Sequence, residues 1–262
     1  MLGNRRGRPY HRDVSEAIAL ESVTAGYGRQ PVLDLVSLTV APGEFVAVAG
    51  RSGSGKTTLL RVIAGLITPA TGAVRVLGRS PADARRAKLL GLVAQDARLH
   101  PWLTVLGNVR LPLQVNDGVE RDTGLGPSEW LERVGLAVHR DRYPHELSGG
   151  MRQRVALVRA LVTAPEVLLL DEPLAALDAI TREDLRAELM DLWSASGCSV
   201  IHVTHDLEEA VLLADRVVVI GGPNGRVVGE VAIDAGRPRP RRITQRPELI
   251  AAVESVRALL PT

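Results

Sequence analysis

Hydrophobic and polar positions fall into short blocks along the chain, and the blocks switch between two periods. Val36, Leu38 and Val40 alternate with Ser37 and Thr39 at the period of a strand, which runs into the turn Ala41-Pro42-Gly43. Residues 44–50 are almost wholly apolar and read as a short buried strand. From Lys56 onward, Leu59, Ile63 and Leu66 recur at helical spacing. Residues 167–171 form a continuous apolar run ending in Asp171, as expected of a strand covered on both faces. Leu185, Leu189, Leu192 and Trp193 mark another amphipathic helix. Residues 199–205, 206–214 and 216–220 then read strand, helix, strand. Strands alternating with helices predict an α/β fold built on a mainly parallel sheet.

Between about 96 and 160 the strand signal fades and helical patterns flank a polar, Gly-rich loop at 115–127. This stretch is expected to be a helical subdomain inserted into the α/β core. After Gly236 a Pro/Arg stretch reads as an extended linker, and residues 247–260 as a terminal helix. No internal repeat is visible.

The chain has 262 residues, 45% hydrophobic and 24% charged, enough to bury a sizeable core and too apolar to be disordered. Its one cysteine, Cys198, excludes an intramolecular disulfide and a thiolate metal site, and is expected to fill space beside a buried strand. No apolar run reaches the roughly 18 residues of a membrane span. The Arg-rich N-terminus lacks the apolar segment of a secretory signal, so a cytoplasmic protein is expected. The net charge of +2 is uneven: residues 1–15 carry +3 and residues 236–246 carry +5, which leaves the remainder at −6. An acidic body argues against a nucleic-acid-binding face. The two basic arms are either solvated tails or surfaces drawn to an anionic membrane or partner.

The chemistry concentrates in three places. Gly50, Arg51, Ser52, Gly53, Ser54, Gly55, Lys56 and Thr57 fit the pattern G-x-x-x-x-G-K-[ST], between a buried strand and a helix. Glycines let the backbone wrap a phosphate, successive N–H groups point inward, and the helix N-terminus favours anions. Lys56 can reach the outer phosphates and Thr57 can ligate Mg²⁺. Nucleotide binding follows, with Thr58 continuing the motif. Next, the apolar strand at 167–171 delivers Asp171 to the sheet edge, where a carboxylate can hold Mg²⁺ through water. Glu172 follows as a candidate general base for water attack. Taken alone, such an acidic pair would ordinarily be a helix N-cap, and it gains force from lying 115 residues after Lys56. Finally Ser148, Gly149 and Gly150 open a helix with Val155, Val158, Leu161 and Val162 on its apolar side. That is a second anion-receptive helix start, or an ordinary serine cap. One nucleotide seldom needs two cradles; two molecules facing head to tail would use both.

In this order the motifs resemble those of the ATP-binding subunits of ABC transporters, over residues 18–236. The resemblance implies a P-loop (RecA-like) core, an N-terminal antiparallel β subdomain and an inserted helical subdomain. Residues 1–17 would be a basic arm and 237–262 a linker with a C-terminal helix. It further implies that Tyr27 stacks on adenine and that Gln95 senses Mg²⁺ and the γ-phosphate. Leu147–Met151 would be the signature motif that closes on the partner's ATP, residues 175–179 the D-loop, and His205 the switch histidine. His100, His139, His145 and His202 match no motif and are expected to be structural or at the surface.

Residues 95–109, 171–182 and 238–242 are similar to the nitrate/sulfonate/taurine import group, and within it to its aliphatic sulfonate ATPases. Ala94, His100 and Ala175 depart from that pattern. The implied protein is a peripheral ATPase on the cytoplasmic face of the membrane. It would use ATP and Mg²⁺, pair with a second copy, and drive two permease subunits served by an external solute-binding protein. Trp102 is a candidate permease contact or a side chain tucked into the helical subdomain. Taurine or nitrate import is the alternative within the group, and a soluble, non-transport ABC ATPase the alternative outside it.

Overall fold

The computed structural model describes residues 14–28, 30–116 and 125–260. Two sheets carry the fold. Strand β1 (Ile18–Tyr27) pairs antiparallel with β2 (Gln30–Val40). The alternating segment at 36–40 is therefore the end of a longer strand. Next in the chain come β3 (Phe45–Ala49), helix α1 (Lys56–Ile63) and β4 (Thr71–Val76), which adds to β1 to complete a three-stranded antiparallel sheet.

Helix α2 (Pro81–Arg86) leads to β5 (Leu90–Val93), after which the sheet gives way to helices. These are α3 (Val105–Gln114), α4 (Pro127–Arg133) and α5 (Gly149–Leu161), within the region where the strand signal faded. Most of the Gly-rich loop, residues 117–124, lies outside the described residues, as do residues 1–13 of the basic N-terminus. The chain then returns through β6 (Val167–Asp171), α6 (Ala179–Ser196), β7 (Ser199–Thr204), α7 (Leu207–Leu213), β8 (Arg216–Gly221) and β9 (Arg226–Ala232), ending in α8 (Pro247–Leu259).

The second sheet has the order β5-β6-β7-β3-β8-β9, parallel throughout except for β9. Its strands alternate between two cores. Phe45, Ala47 and Ala49 of β3 face the layer formed by α5, α6, α7 and α8. Val46 and Val48 face α1 and the antiparallel sheet. Burial on both sides explains why β3 and β6 read as unbroken apolar runs.

Two sequence expectations need correction. The helix predicted from Lys56 to Leu66 stops at Ile63, because Gly65 takes φ +65° and turns the chain, leaving Leu66 exposed. The C-terminal arginines do not form a solvated tail. Arg237 donates to Asp215 Oδ1 (2.8 Å) and Leu213 O (2.6 Å), and its guanidinium lies over the Trp193 ring at 4.5 Å. Arg241 and Arg242 pair with Asp184 and Glu183 of α6. Helix α8 buries Leu249, Val253 and Val256 and belongs to the core. Cys198 is buried beside β7, as expected.

Phe45 is fully buried and meets Trp193 edge-on at 5.4 Å. Phe45→Ala is expected to cost about 3–5 kcal/mol of stability, as large-to-small core substitutions of aromatics do. Chemical denaturation measures this directly; a loss below about 1 kcal/mol would mean that the core collapses around the cavity.

Candidate functional site: a phosphate loop at the edge of the parallel sheet

β3, β6 and β7 run in one direction, so their C-terminal ends deliver the phosphate loop, Asp171-Glu172 and His205 to one edge of the sheet. The loop at 50–55 is held by close backbone approach. A Cβ on Gly50 would lie 2.3 Å from the Ile220 carbonyl oxygen, and Gly55 sits at φ +97° with a Cβ position 2.8 Å from Leu33. Only glycine satisfies both. Ser54 Oγ is buried with no hydrogen-bond partner, a polar atom aimed into a cradle without an acceptor or donor of its own.

Lys56 is buried at the first turn of α1. It donates to Gly50 O (2.8 Å) and Arg51 O (2.9 Å), with Glu172 Oε1 at 4.0 Å. Burial pulls its pKa below the usual lysine range, against the pull of Glu172 and Asp171. Thr57 Oγ1 donates to Asp171 Oδ1 at 2.9 Å. Burial pushes the Asp171 carboxyl above the usual range, countered chiefly by that hydrogen bond. A desolvated ammonium and a desolvated carboxylate side by side suit a polyanion together with a hard cation, which would restore to each the opposite charge it lacks. Thr58, also buried, completes the first turn.

Glu172 Oε2 lies 3.0 Å from His205 Nδ1. Its backbone is at φ +45°, an uncommon conformation for a glutamate, and its N–H donates to Val203 O of β7 at 3.0 Å. The turn into this conformation aims the carboxylate across the sheet edge between Lys56 and His205.

Lys56, Thr57, Asp171, Glu172 and His205 thus form one connected cluster. Tyr27 reaches it through Arg61 of α1, whose Nη1 donates to the Tyr27 hydroxyl at 2.6 Å, and its ring is half exposed. Gln95 is exposed just past β5, where the chain leaves the same sheet edge opposite β6. Ser148, Gly149 and Gly150 stand apart. Ser148 caps α5 by accepting from Met151 N–H, and the close neighbours of the two glycines are Leu177 and Thr181. A Cβ on Gly150 would meet Thr181 Cγ2 at 2.4 Å, so this glycine also has a packing reason. The serine therefore caps its own helix, on an element separate from those that carry the cluster.

Sequence reading missed the groups that hold the Gln95 segment. Arg159 of α5 donates to Ala97 O (2.8 Å) and Arg98 O (2.9 Å), and Gln153 of the same helix lies 3.4 Å from Ala94 O. Arg159 is half-buried, and that desolvation lowers its pKa. Both stand off the apolar side marked by Val155, Val158, Leu161 and Val162, so hydrophobic spacing gave no signal for them. His202 was expected to be structural or superficial; it is fully buried, with Nε2 2.5 Å from Glu209 Oε1. Trp102 is 71% exposed rather than tucked into the helical subdomain.

The glycine loop with its lysine, the acidic pair at the end of a neighbouring parallel strand, and the histidine one strand further define a nucleotide-hydrolysing P-loop domain. A family model described as ABC transporter matches residues 33–175, and the chain belongs to that family as one of its ATP-binding subunits. It is 45% identical over 238 residues to the aliphatic sulfonates import ATP-binding protein SsuB of Cupriavidus necator, covering 90% of this chain and 76% of that one. The protein of the same name from Granulibacter bethesdensis is 48% identical over 225 residues, covering 86% and 87%. Among solved structures, a dimeric bacterial ABC transporter cassette superposes with TM-score 0.72 at 33% identity, over 84% of this chain and all of that one. A dimeric ATP-binding cassette in a post-hydrolysis state with ADP and Pi gives 0.71 at 33% identity, with the same coverage. Among the described residues no helix is long and apolar enough to cross a membrane.

Gly50→Ala tests the cradle. The added methyl group collides with a backbone carbonyl, and overpacking of about 1–3 kcal/mol corresponds to ATP binding weaker by about fivefold or more. Calorimetric titration with ATP under non-hydrolysing conditions reads it; unchanged affinity would show that the loop does not carry the phosphates.

Proposed function

We propose that this chain is the ATP-hydrolysing subunit of an importer of aliphatic sulfonates, acting as a peripheral protein on the cytoplasmic face of the membrane. The observation that carries the reading is the connected cluster Lys56–Glu172–His205 beside Thr57–Asp171, at the edge where three parallel strands end. The substrate rests on kinship with relatives named for aliphatic sulfonate import.

In this reading the Gly50–Gly55 backbone and Ser54 surround the β- and γ-phosphates, with Arg51, Ser52 and Gly53 forming the outer wall. Lys56 gives up part of its bonding to Gly50 O and Arg51 O to reach them, and Tyr27 stacks on the adenine. Thr57, Asp171 and Gln95 would hold Mg²⁺, which would supply charge neutralisation of the phosphates. Glu172 orients and deprotonates the attacking water. His205 holds the Glu172 carboxylate in place and contacts the γ-phosphate.

Ser148, Gly149 and Gly150 have no part in that cradle within one subunit. They serve the ATP of a second copy, so that two nucleotides are enclosed between two chains, consistent with the dimeric cassettes this fold resembles. The γ-phosphate then holds the dimer closed, hydrolysis releases it, and two permease subunits convert the motion into solute passage. An external solute-binding protein supplies the sulfonate, and nucleic acid has no role. The exposure of Trp102 supports its reading as a permease contact.

Glu172→Gln keeps the shape of the site and removes the base. Turnover is expected to fall by about 100-fold or more, the range for loss of general base catalysis. ATP binding persists and an ATP-locked dimer accumulates on a sizing column. Near-normal turnover would remove Glu172 from the role. The substrate is tested by uptake of labelled ethanesulfonate, taurine and nitrate in cells with and without the gene. Loss of ethanesulfonate uptake alone is expected. Unchanged ethanesulfonate uptake with loss of taurine or nitrate reassigns the substrate within the group.

A further inference from the structure

Helix α7 begins two residues after His205 and is anchored at both ends by groups outside the nucleotide site. At its N-terminus Asp206 accepts from Glu209 N–H at 3.1 Å, and its own N–H donates to Thr204 Oγ1 at 3.0 Å. Buried Glu209 reaches back to buried His202 on β7. The short stretch that carries His205 is thus fixed to β7 on one side and to α7 on the other. His205 itself is 58% exposed at the side chain, with Glu172 as its partner. Its position follows from both β7 and α7.

The C-terminal end of α7 is held by the Pro/Arg stretch. Arg239 donates to Val211 O (2.8 Å) and Ala214 O (2.5 Å), and from the same guanidinium to Ala235 O (3.1 Å) and Ile233 O (3.3 Å). Arg237 takes Leu213 O. Carbonyls at a helix end otherwise need water or a cap, and here one planar fork spans several of them. Arg239 is bound through carbonyls rather than a carboxylate, and burial, with Arg237 nearby, brings its pKa down to about 10. Arg237 also bonds Asp215 Oδ1, while Asp215 Oδ2 accepts from Phe45 N–H at 2.9 Å. The clamp therefore joins the end of α7 to the start of β3, the strand that leads into the phosphate loop.

We propose that Arg237 and Arg239 are positioning residues for ATP hydrolysis, which fix α7 from its far end and through it set His205 against Glu172. The C-terminal segment thereby becomes part of the hydrolytic machinery without touching the nucleotide. This rests on the role given to His205 above.

The test is a double-mutant cycle on the full chain, with steady-state ATP hydrolysis and nucleotide affinity measured for Arg239→Gln, His205→Ala and the double variant. Arg239→Gln is expected to lower kcat by about fivefold to tenfold with KM for ATP within about twofold of the parent. Arg239→Lys should recover part of the loss, since it keeps the charge but not the fork. In the His205→Ala background Arg239→Gln should change kcat by less than about twofold, because coupled residues are not additive. Equal fold-losses in both backgrounds, or a rise in KM matching the loss of kcat, would overturn the proposal and leave Arg239 a stabilising residue only. If Arg239→Gln does not fold, the cycle is run with Arg239→Lys and judged by the same additivity criterion. Parent-like kcat in His205→Ala alone would instead remove His205 from the mechanism, a different failure that the cycle separates from the first.

Discussion

Strand β3 is hydrogen-bonded on both sides, to β7 and β8, and all five of its residues are buried. Its first amide is tied to the Asp215 carboxylate, and the loop at its last residue turns at Gly50 against the Ile220 carbonyl of β8. Nothing in this strand can slide by one residue without exposing one core and crowding the other. The parallel direction shared with β6 and β7 does the rest. Three strand ends with polar residues arrive at one edge, whereas antiparallel neighbours would send alternate ends to opposite sides.

That edge gathers charge in a place where charge is poorly solvated. Lys56 and Asp171 are both shifted by burial toward their neutral forms. The lysine is stabilised by two carbonyls of its own loop, and Asp171 by one threonine hydroxyl. In the proposed reading, a triphosphate and a divalent ion would replace these makeshift partners with stronger ones. The glutamate next in sequence pays a conformational cost of its own at φ +45°. Ordinary extended backbone there would carry its side chain to one face of the sheet, so the strain and the geometry arise from the same turn.

Much of this is legible in the residues. The phosphate loop needs its glycines at fixed spacing, and buried parallel strands announce themselves as apolar runs; both signals are local. Less visible were features decided by distant partners. Strand β4, with exposed Thr71, Gly72 and Ala73, carries little periodicity and is a strand because β1 offers it an edge. Leu66 has the spacing of the helix before it, but Gly65 ends that helix first. His202 looked unremarkable in sequence because its partner Glu209 lies on the next helix, and only the fold brings the two within 2.5 Å.

The C-terminal arginines show most clearly why charge counting misleads. A block of +5 suggests repulsion and solvent, yet a count of charges takes no notice of carbonyl oxygens or of acidic residues elsewhere in the chain. The five arginines also differ in what they contribute. Arg241 and Arg242 are 67% and 69% exposed, and their pairs with Asp184 and Glu183 are screened by water, so they add little to stability. Arg237 is 24% exposed and Arg239 is partly buried among carbonyls, where a hydrogen bond from a charged group is worth about 1.5–3 kcal/mol. The same stretch of sequence therefore holds two surface charges that could be exchanged at small cost and two that α7 depends on. Only those two lead back, through the helix, to the strand end that carries His205.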